Sequence, residues 1–201
     1  LIAFTNDRSM AQQGSYILSF TPEQEVDRII SFAAKKGYKN FALLAPDTEL
    51  GARLDGAFRA AVAKNGGAIT ISQKYPRDPS QLTAPIAAAA AAIRRVPGKQ
   101  AILIPERGNM LRAIAPALVI NKVDLTRVRL LGTSAWAEED VSREPALRGG
   151  WYAAPDPSGA DWTDCAAGGS DGSTRWGVPF SSYTRYFCSA RKPAAAARWT
   201  R

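Results

Sequence analysis

Residues 21–45, TPEQEVDRIISFAAKKGYKNFALLA, hold one complete helix-then-strand unit. Thr21 can cap a helix, Pro22 suits its first position, and Gln24 stands where a capping box needs it. Val26, Ile29, Ile30 and Ala33 follow at helical spacing, and Gly37 stops the run. Phe41 to Ala45 is then apolar without alternation, which fits a strand covered on both faces rather than one.

The same unit recurs along the chain. Leu54, Phe58 and Ala61 place an apolar stripe on a helix ending before Gly66-Gly67, and Ala68 to Tyr75 is the next strand. Asp78-Pro79-Ser80-Gln81 repeats the cap-plus-proline device ahead of Leu82, Ile86, Ala90 and Ile93. Ala101 to Pro105 reads as a strand. Asn109 stands where a cap is needed for a helix with Leu111, Ile114, Ala115 and Leu118, and Pro116 should kink it. Val128 to Gly132 and Trp151 to Ala154 are the last strands expected. Strands alternating with helices of about a dozen residues imply right-handed crossovers. The fold class is therefore α/β, a parallel sheet flanked by helices.

In such sheets ligands lie beyond the carboxyl ends of the strands. Those ends are Pro46-Asp47-Thr48-Glu49, Pro76-Arg77-Asp78, Pro105-Glu106-Arg107 and Thr133-Ser134-Ala135-Trp136. Function is expected on this rim, with Asp47, Glu106, Arg107 and Trp136 as its candidates.

Composition removes several chemistries. The 201 residues contain no histidine, so histidine bases, serine–histidine nucleophiles and paired-histidine zinc sites are excluded within the chain. Dinucleotide and P-loop glycine motifs are absent, as is the Gly-x-Ser-x-Gly elbow. Glu138, Glu139 and Asp140 cluster, but acids at a helix start answer the dipole there. No cofactor or metal is implied. The formal charge of +8 is spread over interspersed signs, as in Arg53–Asp55–Arg59, without a basic stripe threaded by aromatics. Nucleic acid is not the expected partner. No apolar run approaches the roughly 18 residues that would cross a bilayer, and no signal peptide is visible.

The character of the sequence changes after Pro157. Residues 158–201 contain no Leu, Ile, Met, Glu, Gln or Asn, yet hold three of the five tryptophans, Trp162, Trp176 and Trp199. No apolar period survives there, and the segment reads as an atypical tail, either out of register with an ancestral reading frame or an irregular extension. Cys165 and Cys188 both lie in it, and their pairing is left open.

Several segments together resemble a known family. These are Leu1 to Asp7, Tyr16 to Pro22, Phe41 to Asp47 with Gly51, Arg129 to Thr133 with Trp136, and Gly149 to Pro157. They are similar to the type 1 periplasmic binding proteins of the branched-chain amino-acid-binding kind, and within them to the penicillin-binding protein activator branch. The resemblance implies two α/β lobes joined by crossover strands, with a solute held in the cleft between them. Residues 1–20 would be the end of lobe one and a crossover strand, and residues 21–157 most of lobe two. The first strands of lobe one would precede Leu1 and the returning crossover would follow Pro157, so a fragment is expected. By the same resemblance Ala3 and Thr5 belong to the ligand-holding loop of lobe one, and Leu50 takes the place of a packing aromatic; Asn6, next to Thr5, is a further candidate. Around Pro105 and near Ala135 the chain departs from the amino-acid-binding pattern.

The function expected is that of a non-catalytic solute receptor for an ABC importer, located in the periplasm. Its partner would be a small solute in the interlobe cleft. The alternative is a surface module that regulates peptidoglycan synthases, with a cell-wall synthase as protein partner.

Overall fold

The computed structural model describes residues 2–3, 16–17, 21–137, 144–153 and 187–189. Two short strands, β1 (Ile2–Ala3) and β2 (Tyr16–Ile17), pair in parallel. The rest of the described chain builds one sheet with helices on both faces.

Helix α1 (Pro22–Lys35) starts as its sequence demands. Pro22 occupies the first turn, and the Thr21 N–H donates to Gln24 Oε1 at 3.3 Å. It ends at Gly37, whose φ of +88° is the left-handed conformation glycine adopts without strain. The Gly37 N–H donates to the Ala34 carbonyl at 2.9 Å and satisfies one of the helix's last acceptors. Strand β3 (Asn40–Pro46) follows, buried from Phe41 onward.

Next come α2 (Glu49–Lys64), β4 (Ala68–Tyr75), α3 (Thr83–Arg95), β5 (Gln100–Leu103), α4 (Gly108–Ile120), β6 (Val128–Gly132), β7 (Trp151–Ala153) and β8 (Phe187–Ser189). The strand order is β4-β3-β5-β6-β7-β8. The first five are mutually parallel, and β8 runs antiparallel against β7. A parallel sheet flanked by helices is thus what the sequence forms.

Alternation along each strand sorts the core into two layers. Phe41, Leu43, Ala45, Ala101, Leu103 and Leu131 face α1 and α2. Ala42, Leu44, Ile102, Ile104 and Leu130 face α3 and α4. This is why β3 and β5 read as unbroken apolar runs: both faces are covered. Strand β4 lies at the sheet's edge and is mostly half-exposed until Tyr75, which is fully buried.

Three local expectations need correction. Asp78 does cap, accepting from the Ser80 N–H at 3.0 Å, but the turn it caps is a short 3-10 segment, Pro79–Gln81. The α-helix proper begins at Thr83 without a side-chain cap, because Leu82 stands at its N-cap. Asn109 is not a cap either: α4 begins one residue earlier, and Arg107 holds the N-cap position. Strand β5 stops at Leu103, short of Pro105. Pro116 does lie inside α4, where the helix runs on through it to Ile120.

Of the tail, only Phe187–Ser189 falls within the described residues, and Cys165 lies outside them. Among the described residues no helix is long and apolar enough to cross a membrane, and no cluster of metal-ligating side chains occurs.

Candidate functional site

The strand order fixes where a ligand would sit. The chain passes from β3 outward to β4, then crosses back over β3 to β5 and continues in the other direction. The direction reverses between β3 and β5, and in sheets of this kind ligands lie beyond the carboxyl ends at such a reversal. Four segments form this rim: Asp47-Thr48 after β3, Pro76-Arg77 after β4, Pro105-Glu106-Arg107 after β5, and Thr133-Ser134 after β6.

The first segment is tightly built. The Asp47 N–H donates to the Tyr75 carbonyl at 2.8 Å and extends the β3–β4 ladder by one rung. Thr48 Oγ1 accepts from the Gly51 N–H at 3.1 Å and caps α2. Gly51 has no room for a side chain, since a Cβ there would stand 1.8 Å from the Pro46 carbonyl oxygen. Asp47 itself is exposed, with Lys74 Nζ 3.7 Å from its Oδ1. Leu50, on the first turn of α2, is an exposed apolar side chain.

Glu106 is the unusual member. It is 96% buried by position, with 4% of its surface exposed, and one carboxylate oxygen, Oε1, has no hydrogen-bond partner. The other, Oε2, accepts from the Arg107 N–H at 3.4 Å and lies 4.0 Å from Arg77 Nη2. Beside it lies the Tyr75 hydroxyl, also buried, whose hydrogen-bonding neighbour is the Glu106 carboxylate. Burial first, then the neighbouring Glu106 charge and the hydrogen bond to that carboxylate, push the Tyr75 phenol well above its ordinary range, against the opposing pull of Arg77. It therefore keeps its proton at any physiological pH. Burying a polar atom without a partner costs about 1–3 kcal/mol. The Tyr75 hydroxyl offsets part of that cost for Glu106, since the two side chains face each other.

Trp136 lies elsewhere. Its ring is fully buried, and its Nε1–H donates to the Ile104 carbonyl at 3.0 Å. It fills the α3–α4 side of the core and offers no surface to the rim. Arg107 is exposed at the N-cap of α4. Ala3 belongs to β1, while Thr5 and Asn6 lie outside the described residues, as do Glu138, Glu139 and Asp140.

The fourth rim segment is tied back to α1. The Ser134 N–H donates to Glu25 Oε2 at 2.9 Å across 109 residues of sequence. Glu25 titrates above its ordinary range because burial opposes its charge, although the Ser134 bonds and Arg28 pull the other way.

Tyr75 and Arg77 were not among the residues singled out by sequence. Tyr75 closes an apolar strand and so reads as core. The available signal was topological: Tyr75 ends β4 and Glu106 follows β5, on either side of β3 at the one reversal in strand order.

The sheet is doubly wound, with polar residues at its switch point, the place where ligands bind in folds of this kind. A family model described as a periplasmic binding protein matches residues 3–160, and the chain belongs to that family. Solved structures share its fold. An extracellular ligand-binding receptor from Verminephrobacter eiseniae is 24% identical, with a TM-score of 0.54 over 75% of this chain and 42% of that one. A branched-chain amino-acid ABC transporter periplasmic ligand-binding protein from Burkholderia xenovorans LB400 is 19% identical, with a TM-score of 0.55 over 67% of this chain and 35% of that one. A solute-binding protein of an ABC transporter from Rhodopseudomonas palustris BisB5, in complex with 3,4-dihydroxybenzoic acid, is 20% identical, with a TM-score of 0.54 over 68% of this chain and 38% of that one. The chain thus spans less than half the length of these structures. No curated protein matches it.

Proposed function

We propose that this lobe forms one wall of the solute-binding cleft in a periplasmic receptor serving an ABC importer, and that it performs no chemistry of its own. Family membership supports the class. The observation that carries the reading to a site is the buried Glu106 carboxylate, set with Tyr75 and Arg77 at the switch point of the sheet. Selection for stability alone would favour an apolar residue over a buried carboxylate at this place. A receptor keeps a charged group there for recognition.

Around this carboxylate the rim offers Asp47, Arg77 and Arg107 as charged groups and Leu50 as an apolar one. Trp136 supports the rim from beneath and does not touch the solute. A histidine-free chain suits this role, since a receptor must bind and release its solute unchanged. A cell-wall synthase as partner has no observation among the described residues in its favour.

The test is ligand-dependent thermal shift of the purified chain against a panel of amino acids, hydroxy acids, aromatic acids and sugars. A solute that binds only the folded state raises the melting temperature, by an amount that grows with ligand concentration. A rise for at least one class, lost on substitution of Glu106, is the expected result. A panel that leaves the melting temperature unmoved throughout would count against the receptor.

A further inference from the structure

We infer that the amino-terminal end of the sheet, opposite the rim that carries the candidate site, is a docking surface for an anionic phospholipid bilayer. It stands apart from the receptor reading, which concerns the other end of the strands.

Charges of both signs are interspersed along the sequence, but the fold sorts them. In a parallel sheet every strand begins at the same end, so the turns that lead into the strands gather there. Asn40 pairs with Gln100, and Gln100 with Val128, in one register row across β3, β5 and β6. The residues just before them, Lys39, Lys99 and Arg127, therefore occupy the next row out, and all three are exposed. Neighbouring strands lie about 5 Å apart. That is shorter than the roughly 8 Å over which physiological salt screens a charge. Three cations so placed repel one another, and they attract an anionic surface together.

The turns beside this row add to it. Arg94 Nη1 donates to the Asn121 carbonyl at 2.5 Å, and Arg127 Nη2 to the Gly98 carbonyl at 3.5 Å, which ties residues 94–99 to residues 119–127. Both acceptors are neutral and leave the charges standing. Arg95 and Lys122 are exposed in the same two turns. Asp124 is the one acid in these turns. Its Oδ1 accepts from the Thr126 N–H at 2.9 Å and the Thr126 hydroxyl at 2.6 Å, and its charge offsets part of that of Arg127. Among the described residues no salt bridge reaches any of these cations. The helix dipole accounts for Arg94 and Arg95, in the last turn of α3. It does not account for Lys39, Lys99, Lys122 and Arg127, which lie beyond the helix ends.

An apolar element in the same place selects a bilayer over a soluble polyanion. Ile120, the last residue of α4, is 78% exposed, and Val119 before it is 46% exposed. A single exposed apolar residue is ordinary. An isoleucine standing free among cations is the combination that enters a headgroup layer, where the apolar side chain leaves water and the cations meet phosphates. A soluble polyanion would answer the charges and leave the isoleucine in water.

The experiment is co-sedimentation of the purified chain with two kinds of vesicle, phosphatidylcholine alone and equal parts phosphatidylcholine and phosphatidylglycerol. Retention on heparin is measured beside it. The chain should partition at least about ten-fold more strongly onto the anionic vesicles, and less so as salt rises. Lys99→Glu should weaken that partition about ten-fold. Arg112→Glu makes the same charge change near the other end of α4 and should leave it nearly unchanged. Ile120→Ser should weaken vesicle binding about three-fold and leave heparin retention as it was. Melting temperatures of the three variants establish that each is folded. Equal partition onto both kinds of vesicle would overturn the surface. Equal losses in Lys99→Glu and Arg112→Glu would overturn it too, by making net charge alone the cause. Vesicle binding untouched by Ile120→Ser would replace the bilayer with a soluble polyanion as the partner. None of these outcomes bears on solute binding at the opposite rim.

Discussion

The indole N–H of Trp136 donates to the carbonyl oxygen of Ile104 at 3.0 Å, and this bond joins the turn after β6 to the end of β5. The ring reaches that carbonyl by lying over two glycines. A Cβ on Gly132 would stand 2.2 Å from it, and one on Gly150 2.8 Å. Gly132→Ala must therefore displace the ring or the backbone. It should cost about 1–3 kcal/mol by overpacking. Trp136→Phe should cost a similar amount, because it strands the buried Ile104 carbonyl and leaves a void. Urea denaturation of both variants checks this. A Gly132→Ala midpoint equal to wild type would show that the ring is not held where the structure has it.

At the neighbouring rim segment the pivotal contact is backbone on backbone. Gly51 approaches the Pro46 carbonyl so closely that no side chain fits, and Thr48 Oγ1 holds its N–H. Thr48→Ala removes a cap and should cost about 1 kcal/mol. Gly51→Ala should cost more, about 2–3 kcal/mol, because the clash is with backbone and no rotamer relieves it. It should also move the Asp47–Thr48 turn and weaken solute binding, whereas Thr48→Ala should mostly lower stability. Paired denaturation and binding measurements on the two variants separate these effects.

How far the sequence could be read follows from which interactions are local. The stripe Val26, Ile29, Ile30 and Ala33 and the run Phe41 to Ala45 were legible because their burial follows from spacing alone. The Asp78 cap was legible as a cap but not as the start of a 3-10 turn, since both geometries use the same residues. Asn109 misled because the rim loop delivers Arg107, with no capping side chain, to the N-cap instead. Glu106 could be proposed as a rim residue from its place after a strand. Its partner Tyr75 could not, because their contact depends on the order β4-β3-β5, which no local pattern encodes. Trp136 stood on the rim in sequence, yet only the two glycines beneath its ring reveal that it points inward.

Asp55 links α2 to the edge strand. Its Oδ1 accepts from Ser72 Oγ at 2.5 Å and its Oδ2 from Arg59 Nε at 2.8 Å. Burial opposes the charge, but the bonds from Arg59 and Ser72 and the charges of Arg59 and Lys74 outweigh it, so the carboxyl titrates below its ordinary 3.8. A depressed folded-state value means that Asp55 contributes stability above about pH 4, lost as pH falls through the folded value. Asp55→Ala should cost about 1 kcal/mol at pH 7. The difference from wild type should shrink below pH 3. Urea midpoints at the two pH values give the comparison, and a difference independent of pH would show that the Asp55 charge is not what ties the edge strand.

Glu25 should behave in the opposite sense. Its carboxyl accepts from the Ser134 N–H at 2.9 Å, but burial raises its titration above the ordinary 4.5. In the pH range between the unfolded value and the raised folded one, the native chain holds more proton than the unfolded chain. Stability therefore falls as pH rises from about 4.5 through that range, and stays lower above it. Glu25→Gln keeps an oxygen that can accept from Ser134 and removes the charge that burial penalises. The variant should be more stable than wild type at pH 7 and should lose this downward slope. Melting temperatures of both proteins between pH 4 and pH 8 measure it. If Glu25→Gln is instead less stable at neutral pH, the ionised carboxylate is needed to hold the β6 turn against α1, and its bond to Ser134 outweighs the burial that opposes its charge.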